Sequence, residues 1–418
     1  MSHFSRREGQ LHIDNVDLAS LAAEHGTPAY VYSKAAISEQ FLAYQQAMGE
    51  QAHLICYAVK ANCSLAILNI LAKLGAGFDI VSGGELERVL AAGGQPNKIV
   101  FSGVGKSHEE ITLALQTGIH CFNVESVAEL ERIQHIGQSL DIVAPISIRV
   151  NPDVDAGTHP YISTGLKENK FGIDIDAVVT VYQRAASLSH VAIKGVDCHI
   201  GSQLTEIAPF IDAMDRVLLL IDRLAEAGIT IEHLDLGGGL GVRYQDEQPP
   251  AIGDYIQAIR QRLGERKLRL ILEPGRSIVA NAGVLLTKVE YLKEAGDKNF
   301  AIVDAAMNDM LRPALYQAWL DIETVSDNTQ ASTGVYDIVG PVCETGDFLG
   351  KQRSLAIAEG DLLCIHSAGA YGMAMSSNYN SRPRAVEIMI DNNDAHVIRA
   401  RESKADLMRG ESLLPDPS

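Results

Sequence analysis

A lysine closes the apolar run of YAVKAN (57–62). As a neutral amine, Lys60 could attack a carbonyl and form a Schiff base, and a crowded, partly desolvated position would disfavour the competing ammonium. A lone lysine at a strand end is more often a solvated charge, so its company matters. Asp79, Ser102, Glu125, Arg149 and His199 each stand near the end of a short β-rich run, followed by LDLGGGLG (234–241) and EPGRS (273–277). A glycine run after a strand lets backbone N–H groups approach an anion with no Cβ in the way. The rival readings are a tight turn needing φ > 0 and a dinucleotide fingerprint. The fingerprint belongs to the first βαβ unit of an open sheet, whereas this run is the seventh.

Glu273 ends the eighth run, and Pro274–Gly275 turns the chain into Arg276. Carboxylate and guanidinium could simply pair. Beside an anion site they also suit a ligand carrying both a phosphate and a basic ring nitrogen. HIGSQ (199–203) adds the Ser202 hydroxyl and an imidazole, His199, against which a flat ring could lie. A reactive lysine, a phosphate cradle, a carboxylate for a ring nitrogen and a stacking imidazole together describe a pyridoxal 5'-phosphate site.

The elements that must position these groups follow from the alternation of the chain. Between residues 53 and 275 the runs LICYAV, GFDIVS, KIVFSG, HCFNVE, ISIRVN, IKGVDCHI, IEHLDLGG and LRLILEP are separated by helical stretches such as GELERVLAAGG and AMDRVLLLIDRLAEAG. Such alternation predicts a parallel sheet. Eight units predict a closed (β/α)8 barrel of the TIM type rather than an open doubly wound sheet, with its site at the C-terminal strand ends. The barrel is expected over residues 36–283. From residue 284 onward, VLLTKVEYLKE, NFAIVDAA, VYDIVGPV, DLLCIHS and AVEIMI predict a second, mostly antiparallel β sandwich or barrel over 284–418, joined by the strand-like residues 1–35. The connection 152–172, with His159, Tyr161 and Ser163, is long enough to be read as a lid over the site.

Composition narrows the function classes. The 418 residues carry a net charge of −18, which opposes a nucleic-acid or anionic-membrane surface and requires local donors for any anionic ligand. Six cysteines without CxxC pairing (56, 63, 121, 198, 343 and 364) read as reduced thiols. The N-terminal residues contain no apolar h-region, and no apolar run approaches a membrane span. A cytoplasmic protein is expected.

The same motifs resemble a known family. YAVKAN, FDIVSGGE (78–85), HIGSQ, LGGGLG (236–241), EPGRS, MNDMLRPALY (307–316), GPVCETGDFLG (340–350) and GAYG (369–372) occur in the order found in the fold-type III, alanine-racemase-like pyridoxal phosphate decarboxylases. The resemblance spans nearly the whole chain. It implies that Lys60 carries the cofactor, that Ser202, Gly238, Gly239, Gly275 and Arg276 hold the phosphate with Tyr371 closing over it, and that Glu273 keeps the ring nitrogen protonated while His199 stacks on the ring. Which of Gly237, Gly238 and Gly239 meets the phosphate stays open. Asp79, Glu85 and Arg149 would contact or support the cofactor. It also implies that Arg276, Arg312, Tyr316 and Tyr371 bind substrate, that Glu344 receives a distal ammonium, and that Cys343 returns a proton to Cα. Cys343 and Glu344 would act in the neighbouring subunit's site, making the protein a homodimer. Arg312 and Glu344 together suit a second amino-acid head, which makes meso-2,6-diaminopimelate the expected substrate and L-lysine with CO2 the expected products. The alternatives are another basic amino acid, such as ornithine or arginine, and a catalytically silent regulator on the same fold. The other five cysteines are expected to be buried filler.

Overall fold

The computed structural model describes residues 3–154, 170–296 and 298–416. The chain divides into two compact units, Ile37–Val279 and Met1–Ala36 with Ala280–Ser418.

The first unit is the barrel. Its eight strands are His53–Ala58, Gly77–Ile80, Ile99–Phe101, Cys121–Val124, Ala144–Asn151, Val191–Asp197, His233–Asp235 and Arg269–Leu272. Each pairs in parallel with the next, and the eighth closes on the first, with Leu270 opposite His53 and Leu272 opposite Ile55. All eight runs read from the sequence therefore form strands. Ile173–Asp174 adds a short parallel pairing beside Val150–Asn151. Every residue of the second and fourth strands is buried, as parallel strands covered on both faces require. Phe101 and Phe122 stack across neighbouring strands at 6.1 Å, an arrangement worth about 0.5–1.5 kcal/mol beyond area burial.

The strand-to-helix turns share a device. Ser82, Ser107 and Ser126 cap the helices Gly83–Ala91, His108–Thr117 and Val127–Leu140, each hydroxyl accepting from the backbone N–H of a glutamate three residues on. A cap of this kind contributes about 1 kcal/mol. The glutamates reach back in turn: Glu85 accepts from Val81 N–H at 2.7 Å, Glu110 from Ser107 N–H at 2.9 Å, and Glu129 from Glu125 N–H at 2.9 Å. Strand ends at the barrel mouth are thereby held by the first turn of the next helix.

The second unit is built on a sheet ordered Phe348–Ala356, Thr333–Val339, Lys298–Val303, Gly283–Ala295, Ala29–Ser33, Val386–Asp391 and Asp394–Arg399. Most pairs are antiparallel, but Lys298–Val303 runs parallel to Thr333–Val339, and Ala29–Ser33 runs parallel to Val386–Asp391. Its core gathers Leu11, Ile13, Leu18, Val31, Val284, Leu286, Ile388 and Ile390. The helix Leu18–His25 starts on an Asp17 cap.

Candidate active site

The first barrel strand ends at Ala58 and passes into a short 3-10 turn, Val59–Ala61, that carries Lys60 between two buried neighbours. The Lys60 ammonium lies 2.5 Å from Oδ2 of Asp79 on the second strand. Its side chain is 38% exposed, whereas Asp79 is fully buried. The lysine is therefore ion-paired and within reach of solvent rather than held dry, because the turn lifts it beyond the last laddered residue. Glu85 stands close by on the helix that follows, and burial, with Asp79 as a like-charged neighbour, pushes its carboxyl up to about 7.

Glu273 follows the eighth strand. Its Oε1 accepts from Asn123 Nδ2 at 3.3 Å and from the Ser102 hydroxyl at 3.4 Å, while Asn123 also donates to Ser102 at 3.1 Å. Carboxylate oxygens of Asp197, Asp235 and Glu273 lie within 4.8 Å of one another, all buried. Burial comes first, and mutual repulsion second, in pushing Glu273 and Asp197 well above the ordinary carboxylate range. Asp235 is pushed up to about 6, mainly by burial and against the stabilising N–H of Gly237 at 2.9 Å. Oδ1 of Asp79, Oδ1 of Asp197 and Oδ2 of Asp235 are buried with no hydrogen-bond partner.

His199 sits past the sixth strand. Its Nδ1 accepts from Gly238 N–H at 3.2 Å. Burial first, then the charges of Arg149 and Lys60, hold the ring well below its ordinary pKa. The imidazole is thus neutral, with its proton on Nε2. Arg149 donates to Glu125 at 2.8 Å and to the His199 carbonyl at 3.4 Å.

The glycine run separates into distinct requirements. Gly237 has φ +65°, and a Cβ there would lie 2.6 Å from Nδ1 of His199. At Gly238 a Cβ would meet the Glu273 carbonyl oxygen at 2.3 Å, and at Gly239, with φ +114°, the Gly201 carbonyl oxygen at 2.6 Å. A Cβ on Gly275 would lie 3.0 Å from those of both Ala58 and Ala61. Arg276 opens the short helix Arg276–Val279 and donates to Ser202 Oγ at 3.0 Å and to the Tyr244 hydroxyl at 2.7 Å. The structure thus brings together Lys60, Asp79, Arg149, His199, Ser202, Gly238, Gly239, Glu273, Gly275 and Arg276 in the barrel unit.

Residues 34–280 match the family model for the pyridoxal binding domain of pyridoxal-dependent decarboxylases. A diaminopimelate decarboxylase of Pseudomonas aeruginosa is 63% identical over 415 residues, covering 99% of this chain and 100% of that protein. The chain belongs to the diaminopimelate decarboxylase family. Among solved structures, a diaminopimelate decarboxylase from M. jannaschii in co-complex with L-lysine is 40% identical, with coverage of 99% of this chain and 98% of that one and a TM-score of 0.94. One from Helicobacter pylori, complexed with L-lysine, is 46% identical over 94% of this chain and 98% of that one, with a TM-score of 0.90. Membership makes the protein a carboxy-lyase that depends on pyridoxal 5'-phosphate. The barrel residues fit that group. Four buried carboxylates, Asp79, Asp197, Asp235 and Glu273, outnumber the nearby cations Lys60 and Arg149, so a protonated ring nitrogen would relieve a surplus of negative charge. The small lining of Ala58, Ala61 and Gly275, with Gly201 and Gly239, leaves backbone donors room to approach a phosphate.

The remaining expected residues of this family member lie in the β unit. Arg312 is buried at the start of the helix Arg312–Tyr316, and Tyr316 ends that helix half-buried. Tyr371 is half-buried with φ +56°. Cys343 and Glu344 are exposed, in a turn where Cys343 N–H donates to Asn380 Oδ1 at 2.9 Å and Asp347 accepts from both Val342 and Met307 N–H at 2.7 Å. Cys56, Cys121, Cys198 and Cys364 are buried as expected, but Cys63 is only half-buried because it follows the turn that carries Lys60. His159, Tyr161 and Ser163 of the long connection lie outside the described residues.

Sequence reasoning missed Asn123, Asp197, Asp235 and Tyr244. The acids hide inside the runs VDCHI and LDLGG. A usable signal was the spacing S-x-x-E, repeated at residues 82, 107 and 126, which marks three helix starts beside the mouth.

Proposed function

We propose that this chain removes one carboxylate of meso-2,6-diaminopimelate to give L-lysine and CO2, in a site shared between two copies of the chain. The observation that carries the reaction is the 63% identity to a diaminopimelate decarboxylase over essentially the full length of both chains.

Lys60 would hold the cofactor through its amine, and the carboxylate of Asp79 would orient that amine before loading. When bound, the cofactor supplies an electron sink for the pair left on Cα as CO2 departs. Glu273 would hold a proton on the ring nitrogen, for which the surrounding buried acids are a favourable setting. His199, neutral and anchored through Nδ1 to Gly238, would lie against the ring. Ser202, Gly238, Gly239, Gly275 and Arg276 would take the phosphate, with Arg149 bracing the ring's surroundings.

The roles in the β unit rest on the resemblance of LRPALY, GPVCETGD and GAYG to the family's motifs. Arg312, Tyr316, Tyr371 and Arg276 would bind substrate carboxylate. Glu344 of a second copy would hold the distal ammonium, and Cys343 of that copy would protonate Cα, since a thiol is largely protonated near neutral pH. Both residues are exposed in their own chain, as a role in a neighbour's site requires. No helix of the described residues is long and apolar enough to cross a membrane, and the chain is proposed to work in the cytoplasm as a homodimer.

The test is release of CO2 and formation of lysine from meso-diaminopimelate with added pyridoxal phosphate, in competition with ornithine, arginine and lysine. Preference for ornithine or arginine would overturn the substrate. Absence of a visible lysine-bound cofactor band would favour a silent regulator.

A further inference from the structure

We propose that Glu125 is a positioning residue for this site: through the guanidinium of Arg149 it fixes the main chain of His199, and with it the imidazole that faces the cofactor. The inference rests on the proposed placement of His199 against the cofactor ring.

Glu125 follows the fourth strand, and its side chain is 2% exposed. Both of its oxygens are engaged. Oε1 accepts from Arg149 Nη1 at 2.8 Å and from Gly103 N–H at 3.2 Å, and Oε2 accepts from Gly172 N–H at 2.7 Å. These donors come from the end of the third strand, the fifth strand and the segment just before Ile173. Arg149 carries the connection onward. Its Nη2 donates to the His199 carbonyl at 3.4 Å, its Nε lies 3.8 Å from Asp197, and its guanidinium covers the Phe171 ring at 4.9 Å. His199 is therefore held at two points, its carbonyl by Arg149 and its Nδ1 by Gly238.

Behind Glu125 stands a second buried charge. Glu129 accepts from Glu125 N–H at 2.9 Å and pairs with Lys106 at 2.7 Å. Lys106 is 1% exposed and also donates to the carbonyls of Gly103 and Asn123, each at 2.8 Å. Lys106, Glu129, Glu125, Arg149 and Asp197 thus form one buried chain of charges running from the helix side of the barrel to the residue before Cys198–His199. Burying so many charges stabilises a fold little better than apolar packing would, because desolvation offsets attraction. What such a network provides is direction: the planar guanidinium can satisfy Glu125 and the His199 carbonyl together only in a narrow range of poses. Glu125 sets that pose. Lys106 holds Glu129 and two carbonyls but does not touch Arg149, so it serves the scaffold.

The two roles separate experimentally in the holoenzyme. Visible circular dichroism of the bound cofactor reports how asymmetrically its ring is held. Glu125→Gln keeps an acceptor for Gly103 or Gly172 but removes the charge that orients Arg149. It is expected to lower the visible dichroic amplitude at least about twofold and kcat/KM by about 10- to 100-fold, the scale of a displacement near 1 Å. Lys106→Met is expected to lower the melting temperature while leaving both spectroscopic amplitude and kcat/KM within about twofold. Should Glu125→Gln fail to fold, Arg149→Lys tests the same link, since it keeps a cation beside Glu125 and loses the second donor to His199; the same loss of dichroism is expected. Unchanged dichroism and kcat/KM in a folded Glu125→Gln or Arg149→Lys enzyme would overturn the proposal, as would equal losses in Lys106→Met. A wild-type enzyme with no visible cofactor band would instead remove the functional reading itself, and the inference with it.

Discussion

Replacing Gly238 by alanine tests how closely two strand ends must approach to place Glu273. The added Cβ would stand 2.3 Å from the Glu273 carbonyl oxygen and 3.1 Å from its carbonyl carbon. Both are backbone atoms, so no rotamer change relieves the contact. Non-bonded heavy atoms settle at about 3.5 Å, which asks the ends of the seventh and eighth strands to part by roughly 1 Å. The Glu273 N–H, which donates to the Gly237 carbonyl at 2.7 Å, resists that movement. Overpacking of this kind costs about 1–3 kcal/mol. Taking about 2 kcal/mol, the melting temperature of the holoenzyme should fall by about 4–8 °C. Since the shift acts on Glu273 itself, kcat should fall on the order of 100-fold. Gly253→Ala is the control: it lies in the helix Ile252–Leu263 with nothing within 4 Å of its would-be Cβ. There the substitution should be neutral or stabilising by up to about 1 kcal/mol. Thermal melts and steady-state kinetics on both variants decide the matter. If Gly238→Ala melts with wild type and turns over at the wild-type rate, the close-approach argument is wrong.

Glu273→Gln should retain bound cofactor but lose on the order of 100-fold or more in kcat, the scale seen when one electrostatic partner of a reacting group is removed; near-normal turnover would contradict the role given to its charge. Lys60→Ala and Cys343→Ala chains, each inactive alone, should regain part of the activity when their subunits are exchanged, and lack of recovery after confirmed exchange would count against a shared site. Desolvation first, with the like charge of Asp79 adding to it, pushes the half-buried Glu85 carboxyl up to about 7 in the folded chain, above its ordinary 4.5. Between those values the folded state holds a proton that the unfolded state releases, so stability present below about pH 4.5 is lost as pH rises through 7. Glu85→Gln should therefore flatten the stability profile and gain on wild type at pH 8 relative to pH 5; parallel pH profiles for the two proteins would refute this.

Much of the fold was legible because it is written in periodic signals. Eight β-rich runs separated by helical stretches admit few architectures, and Lys60, His199, Glu273 and Arg276 were visible since polar residues at the ends of apolar runs stand out. The buried acids were less accessible. Asp197 and Asp235 are the last residues of their strands, but in the sequence they lie inside the longer runs IKGVDCHI and IEHLDLGG, and nothing local shows that barrel closure will gather them with Glu273. Asn123 and Glu273 are 150 positions apart, and only the meeting of the fourth strand's end with the eighth makes them partners. Lys106, in the polar stretch GVGKS, reads as a surface charge, yet three acceptors enclose it. The three glycines of LGGGLG could not be ranked from sequence because their need depends on what lies opposite: an imidazole for Gly237, and main-chain carbonyls for Gly238 and Gly239.

The fully buried strand Ala29–Ser33 is hydrogen-bonded on one side to Gly283–Ala295 and on the other to Val386–Asp391. A ribosome therefore delivers the middle of that sheet about 250 residues before either of its flanks exists. Throughout synthesis of the barrel sequence the nascent N-terminus carries an apolar β-segment with both edges open, the condition that invites mispairing and capture by chaperones. A message truncated between the codons for Val279 and Val386 would encode all eight barrel strands yet leave Ala29–Ser33 without the strand that covers one of its edges.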